Sequence, residues 1–255
     1  MARLGLLLLL SLLASCARPG VRAWAYGGRL DLSGDLAANN GPFGGSASAD
    51  SLGLGEKETT TSVGAELDWS PLYLAFESLQ LDLEGSGVVD GNLDFGSSSI
   101  PIGEPVSSEL ELELSQVRAA WNLIPFDLFD LGIGVGLGNF DYRAIVDSQS
   151  GPGSFAVEDE QPFAFLTARA RKDFGRVEIV GHASGLGYEL EDDRVDYLDL
   201  EGIVAIRLLN LGPAALRLDL GYRHLDLEVD LDTGGTSVAV DGSISGPFAG
   251  LSLRL

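Results

Sequence analysis

His182-Ala183-Ser184 sets an imidazole and a hydroxyl two residues apart, and on an extended strand residues i and i+2 share a face. A histidine base beside a serine hydroxyl is the start of nucleophilic catalysis, with Glu191 or Asp196 as the acid that would orient the ring. The plainer reading is a histidine within a network of ion pairs, because His182 shares its face with Arg176 and Glu178. A second set, Asp226, Glu228, Asp230 and Asp232, aligns four carboxylates on one face at steps of about 7 Å. These are hard oxygen ligands for Ca²⁺ or Mg²⁺ but lack the looped spacing that wraps one ion, so a solvated extension of a hairpin is the simpler expectation. Glu109, Glu111 and Glu113 form a second ladder. His224 has no partner motif and reads as a bulge or lumen residue. Cys16 is the only cysteine, which leaves no intramolecular disulfide.

These residues sit on strands. From residue 23 to 255 the chain repeats a stretch of alternating apolar and polar residues closed by Gly, Pro, Asn or Asp. Ten strands are expected, near 23–34, 60–70, 72–84, 108–123, 126–146, 155–174, 176–191, 196–209, 215–232 and 237–255, with eight or twelve also open. Links at Pro71, Ile124-Pro125, Gly175 and 210–214 are short, whereas 35–59 and 85–107 are long and rich in Gly, Ser and Asn. That asymmetry is typical of an up-and-down antiparallel transmembrane β-barrel, and an even strand count puts both termini in the periplasm.

Ahead of the strands, Arg3 and an apolar run at 4–13 have the form of an export signal, too short for a spanning helix. Leu13-Ala14-Ser15-Cys16 resembles a lipoprotein cleavage box. Residues 1–15 would then be the signal peptide, Cys16 a lipid anchor, 16–22 a periplasmic linker and 23–255 the barrel. The alternative is ordinary signal-peptidase cleavage within 17–25, which would discard Cys16.

Alternation does not say which face is wet, since a lipocalin-like barrel is apolar inside and a membrane barrel apolar outside. Trp24, Trp69, Tyr73, Trp121, Phe126 and Phe174 all fall near the expected short turns. Amphipathic rings favour the headgroup level, so they are expected to form a periplasmic aromatic girdle. The opposite phase becomes the lumen, with Arg29, Asp31, Glu66, Asp68, Asp199, Glu201, Arg207, Arg217, Asp219 and Arg223. Mixed signs there imply a lumen filled by ion pairs rather than an open channel. Two strands change phase midway, at Arg223-His224 and at Gly246-Pro247, and a β-bulge at each is expected to flip the faces.

The formal net charge of -22 excludes nucleic acid as a partner, because no basic surface exists to neutralise phosphates. Both acidic ladders fall near the outer rim, where divalent cations could bridge to lipopolysaccharide phosphates. No cofactor is implied.

Leu218-Asp219-Leu220-Gly221-Tyr222-Arg223, the acidic stretch 226–232 and Gly246-Pro247-Phe248-Ala249-Gly250 resemble a family of small, functionally uncharacterised proteobacterial outer-membrane β-barrel proteins. The chain ends in Leu255, where such chains usually end in Phe or Tyr. The resemblance implies a barrel in the Gram-negative outer membrane, inserted by the barrel-assembly machinery and surrounded by outer-membrane lipids. It brings no activity. The His-x-Ser of residues 182–184 is similar to that of outer-membrane lipid A deacylases, although Gly185 stands where those have Asn. A non-enzymatic envelope component working through outer loops at 35–59, 85–107 and 147–158 is therefore expected. The alternatives are a narrow solute or ion channel, a lipid A-modifying hydrolase using His182 and Ser184, and a periplasmic lipocalin-like lipoprotein.

Overall fold

The computed structural model describes residues 19–40, 43–55, 58–91, 93–94, 99–125, 129–151, 153–190, 193–232 and 236–255. Cys16, Phe126 and Glu191 lie outside them. Thirteen strands form: β1 (Gly20–Asn40), β2 (Phe43–Ser48), β3 (Glu58–Trp69), β4 (Leu72–Val88), β5 (Leu93–Asp94), β6 (Ser99–Ile100), β7 (Pro105–Pro125), β8 (Asp130–Ser148), β9 (Ser154–Asp173), β10 (Val177–Leu190), β11 (Asp193–Leu211), β12 (Ala214–Asp232) and β13 (Thr236–Arg254). Ten of them make one antiparallel ring, which closes where β13 pairs with β1. Closure leaves the short-turn half without a sheet edge, the condition for a sheet to cross hydrocarbon; toward the mouth the wall is less complete, since β9 and β10 pair only from Glu178↔Asp173 to Gly185↔Leu166.

The ten ring strands correspond to the ten expected segments. β1 runs further, because β2 folds back on it from Asp35↔Ser48 to Asn40↔Phe43. β8 starts at Asp130 rather than near 126. Both chain ends of the ring lie together among the short turns, where the Val21 and Leu255 amides each donate to the other's carbonyl.

Ring strands such as β7, with 21 residues, are about twice the 9–11 residues that span a bilayer. The outward faces show where hydrocarbon ends. In the short-turn half they carry exposed Val63, Phe76, Val117, Trp121, Ile133, Val135, Leu166, Ile179, Leu220 and Leu251. Further along the same strands they carry Gln80, Asp82, Glu111, Glu113, Asp141, Glu158 and Glu160. The inward faces change in the opposite sense, from Arg118 and Gln116 to Leu114, Leu112 and Leu110 along β7.

This inversion corrects the expected bulges. β12 and β13 pair without interruption through Tyr222↔Pro247, Arg223↔Gly246 and His224↔Ser245. The β13–β1 ladder omits pairs opposite Pro247 and Gly246 but resumes in the same register. Arg223, Leu225 and Leu227 all face inward. The side chains keep alternating, and what changes is the medium outside the wall. Register shifts occur instead between Asn122 and Ile124 and between Arg207 and Leu209, beside the short turns.

The long connections are folded into the mouth. Ala47, Ala49, Leu52, Leu54, Val89 and Ile100 are buried in the same core as Leu79, Leu81, Leu110 and Leu112. The backbone of 51–53 lies directly against Gly85–Gly87: a β-carbon on Gly53 would sit 2.5 Å from the Ser86 carbonyl oxygen. Gly53 also has φ of 75°, which favours glycine.

Candidate functional site

The lumen of the short-turn half is a stack of ion pairs. Nearest the turns, Glu178 accepts from Arg254 at 2.5 Å and lies 2.8 Å from Arg217, while Arg171 donates to Asp68 at 2.5 Å. Above them Arg22 donates to Asp219 at 2.7 Å and to Tyr26 at 2.8 Å, and the Tyr26 hydroxyl donates to the same carboxylate. Arg169 lies 3.7 Å from Glu66 and 4.2 Å above the Tyr73 ring. The top layer is held by Arg223, which forks onto both Asp199 oxygens at 3.0 and 2.7 Å and reaches Glu77 at 2.8 Å. Arg118 also donates to Glu77.

Phe163, Phe165 and Tyr197 cap this stack, with centroids 4.8 to 5.7 Å apart. Beyond them the lumen is apolar. A cavity of about 10 Å³ beside Glu201, Arg223 and Phe248 has room for about one water. Another of about 50 Å³, under the folded-in loops, is lined by Leu110, Phe140, Leu225 and Ile244.

Several expected placements change. Arg29 and Asp31 face outward rather than into the lumen, because the inward phase of β1 is Arg22, Tyr26 and Leu30. Trp24 and Tyr73 are not on the lipid side. Trp24 leans over Arg22 and stacks near Tyr26, and Tyr73 is buried under Arg169. Cations in the lumen hold both rings by their faces. Trp69, Trp121 and Phe174 are exposed on the outer wall near the short turns.

His182 and Ser184 share a face, and that face is the sealed lumen: both are buried, and Ser184 donates to Thr167 at 3.1 Å. Asp226 and Glu228 face outward, as do Glu111 and Glu113; Asp230 and Asp232 continue β12, but their side chains are outside the described part. No group of three or more metal-ligating side chains occurs among the described residues. His224 is on the outer wall, neither at a bulge nor in the lumen. Its Nε2 lies 3.0 Å from Asp226 Oδ2. Period-2 alternation counted back from buried Arg223 could have placed it there.

On the outer wall of β4, β7, β8 and β9, carboxylates stand directly opposite carboxylates: Asp82 with Glu111, Glu84 with Glu109, and Asp141 between Glu113 and Glu160. Such pairs are destabilising and require water or counter-ions around them. At the mouth, Asp90 accepts from the Ser48 and Ser51 hydroxyls at 3.0 Å, and Glu104 from those of Ser148 and Ser150 at 2.5 Å. These bonds hold both carboxyls below the usual carboxylate range.

The closed ring and the apolar outer band together define an outer-membrane β-barrel. No family model and no curated protein sequence matches the chain. Among solved structures it is similar to the outer-membrane protease OmpT of Escherichia coli, at 11% identity and a TM-score of 0.50 over 92% of this chain and 97% of that one. It is also similar to the translocator domain of the autotransporter NalP of Neisseria meningitidis (10% identity, TM-score 0.41, 98% and 94%). A FadL homologue of Pseudomonas aeruginosa matches at 11% identity and a TM-score of 0.36, over 95% and 91%. The OmpT likeness is one of fold alone.

Proposed function

We propose that the protein is a non-conducting outer-membrane barrel, with its short turns and both ends of the ring in the periplasm, that works through the water-exposed outer half it raises above the membrane. The observation that carries this reading is the filled lumen. Paired charges occupy the lower half, apolar side chains the upper half, and folded-in loops the mouth, so a solute would have to unpair buried ions or lift a packed core. The outer acidic wall fits a layer of divalent cations between carboxylates and lipopolysaccharide phosphates. A lipid on Cys16, where present, would add a second hold on the inner leaflet.

The test is a planar bilayer recording with protein that migrates faster unboiled than boiled on a detergent gel. The reading predicts that folded protein produces no conductance steps above the bare bilayer. Reproducible unitary steps from folded protein would overturn it and favour the narrow channel.

A further inference from the structure

We propose that Ser245, His224 and Asp226 form a serine-esterase site on the outer wall that cleaves ester-linked acyl chains of outer-leaflet lipids. This goes beyond the reading above by giving the outer surface an activity, and it departs from the expectation of a non-catalytic protein.

The three residues come from the β12–β13 pair. His224 and Asp226 share the outward face of β12, with the carboxylate 3.0 Å from Nε2. Ser245 is the direct cross-strand partner of His224 and also faces outward. Directly opposed residues have β-carbons about 5 Å apart, which puts the serine hydroxyl within reach of the other ring nitrogen, Nδ1, through a change of rotamer. The two do not hydrogen-bond in this structure, and catalytic contacts commonly tighten only when substrate binds. Both members of the His–Asp pair are reachable, with side chains 39% and 45% exposed.

Position selects the substrate. The site lies at the upper border of the lipid-facing band, with exposed Tyr222 two residues before His224 and exposed Leu200 and Leu198 opposite His224 and Asp226 on β11. Acyl chains against those side chains would bring their ester carbonyls to the level of Ser245. On the other flank, β1 places Asp31 opposite Ser245 and Arg29 two residues along. Arg29 is exposed on this face, diagonal to the serine and near enough for a long side chain to meet a developing oxyanion, which the Asp31 carboxylate alone would repel.

In the reaction, Ser245 Oγ bonds to the ester carbonyl carbon as its proton passes to His224. The C–O bond to the alcohol then breaks, and the alcohol takes that proton. Water, deprotonated by His224, next cleaves the acyl-serine to a free acid and restores the hydroxyl. Asp226 is a positioning residue that holds the ring and its transient charge. The His182–Ser184 pair cannot do this, since its face never meets lipid.

The experiment uses the full chain, refolded in detergent and shown by gel mobility to be folded, with p-nitrophenyl octanoate as substrate and a biotinylated fluorophosphonate as trap. The expected result is turnover that falls at least about 100-fold in Ser245→Ala and His224→Ala, with the trap recovered on the Ser245 peptide. Asp226→Asn should lower kcat with KM unchanged, and Asp226→Glu should recover part of the loss. Vesicles of phosphatidylethanolamine with lipopolysaccharide should release fatty acid in the same order of variants. Folded, non-conducting protein that neither turns over ester nor labels at Ser245 overturns this proposal alone; equal turnover by folded Ser245→Ala does the same.

Discussion

The two halves of β7 carry the same alternation and opposite chemistry. Near the short turns it shows Val117 and Trp121 outward and Gln116 and Arg118 inward; toward the mouth it shows Glu111 and Glu113 outward and Leu110, Leu112 and Leu114 inward. In hydrocarbon the wall must be apolar and the polar groups must pair inside. In water the usual burial rule returns and the barrel fills with leucine and aromatic side chains. One strand thus obeys membrane rules over part of its length and soluble-barrel rules over the rest. The border runs across the sheet rather than between domains.

The sharpest way to break this comparison is to remove a cation from each half. Arg223→Met leaves the buried carboxylates of Glu77 and Asp199 without a partner they share; such a loss costs about 3–5 kcal/mol. Arg143→Met removes a cation 3.7 Å from Glu111, both side chains about half exposed, and should cost at most about 0.5 kcal/mol. Urea titration of vesicle-inserted protein, followed by gel mobility, measures both.

A smaller difference is expected from adding one charge to two outward positions of β8. Val135→Lys, within the lipid-facing band, should destabilise by about 2–4 kcal/mol. Asp141→Lys, between Glu113 and Glu160, should be neutral or slightly stabilising because it relieves a like-charge contact. Equal costs at both positions in the same titration would remove the border between them.

The smallest effect concerns the mouth. Asp90 and Glu104 titrate below their free values, so their bonds to Ser48, Ser51, Ser148 and Ser150 contribute fully above the unfolded carboxylate values of about 4. That contribution is lost as pH falls through the depressed folded values. Hydrogen exchange at 48–55 and 99–105 should be unchanged from pH 7 to 5, after correction for intrinsic rate, and should rise only below about pH 4.

Much of the fold was legible because period-2 alternation and turn residues are local signals. Ring strands β4, β12 and β13 match their expected segments closely. The inversion is visible in the sequence at Tyr222 and Leu225, but a change of phase signals a bulge as readily as a change of medium outside an unbroken strand. His224 follows the same ambiguity, since its place on the wall depends on which medium its face meets. The mouth was opaque for a different reason. Leu52, Leu54, Val89 and Ile100 are scattered among Gly and Ser, and only tertiary packing shows that they complete a core. Trp24 and Tyr73 follow the girdle pattern by position along the strand, yet the inward phase and the neighbouring arginines take them inside.

The most direct test of the central claim is nitroxide scanning along β8 in lipid vesicles, with single cysteines in a Cys16→Ser background and collision accessibility to oxygen and to a water-soluble nickel chelate. The account predicts oxygen-rich positions at 133, 135 and 137, nickel-rich positions at 141 and 143, and protection from both at 140 and 142. Oxygen dominance continuing through 141 and 143, or a change of phase between 137 and 141, would contradict a single unbroken face that passes from lipid into water.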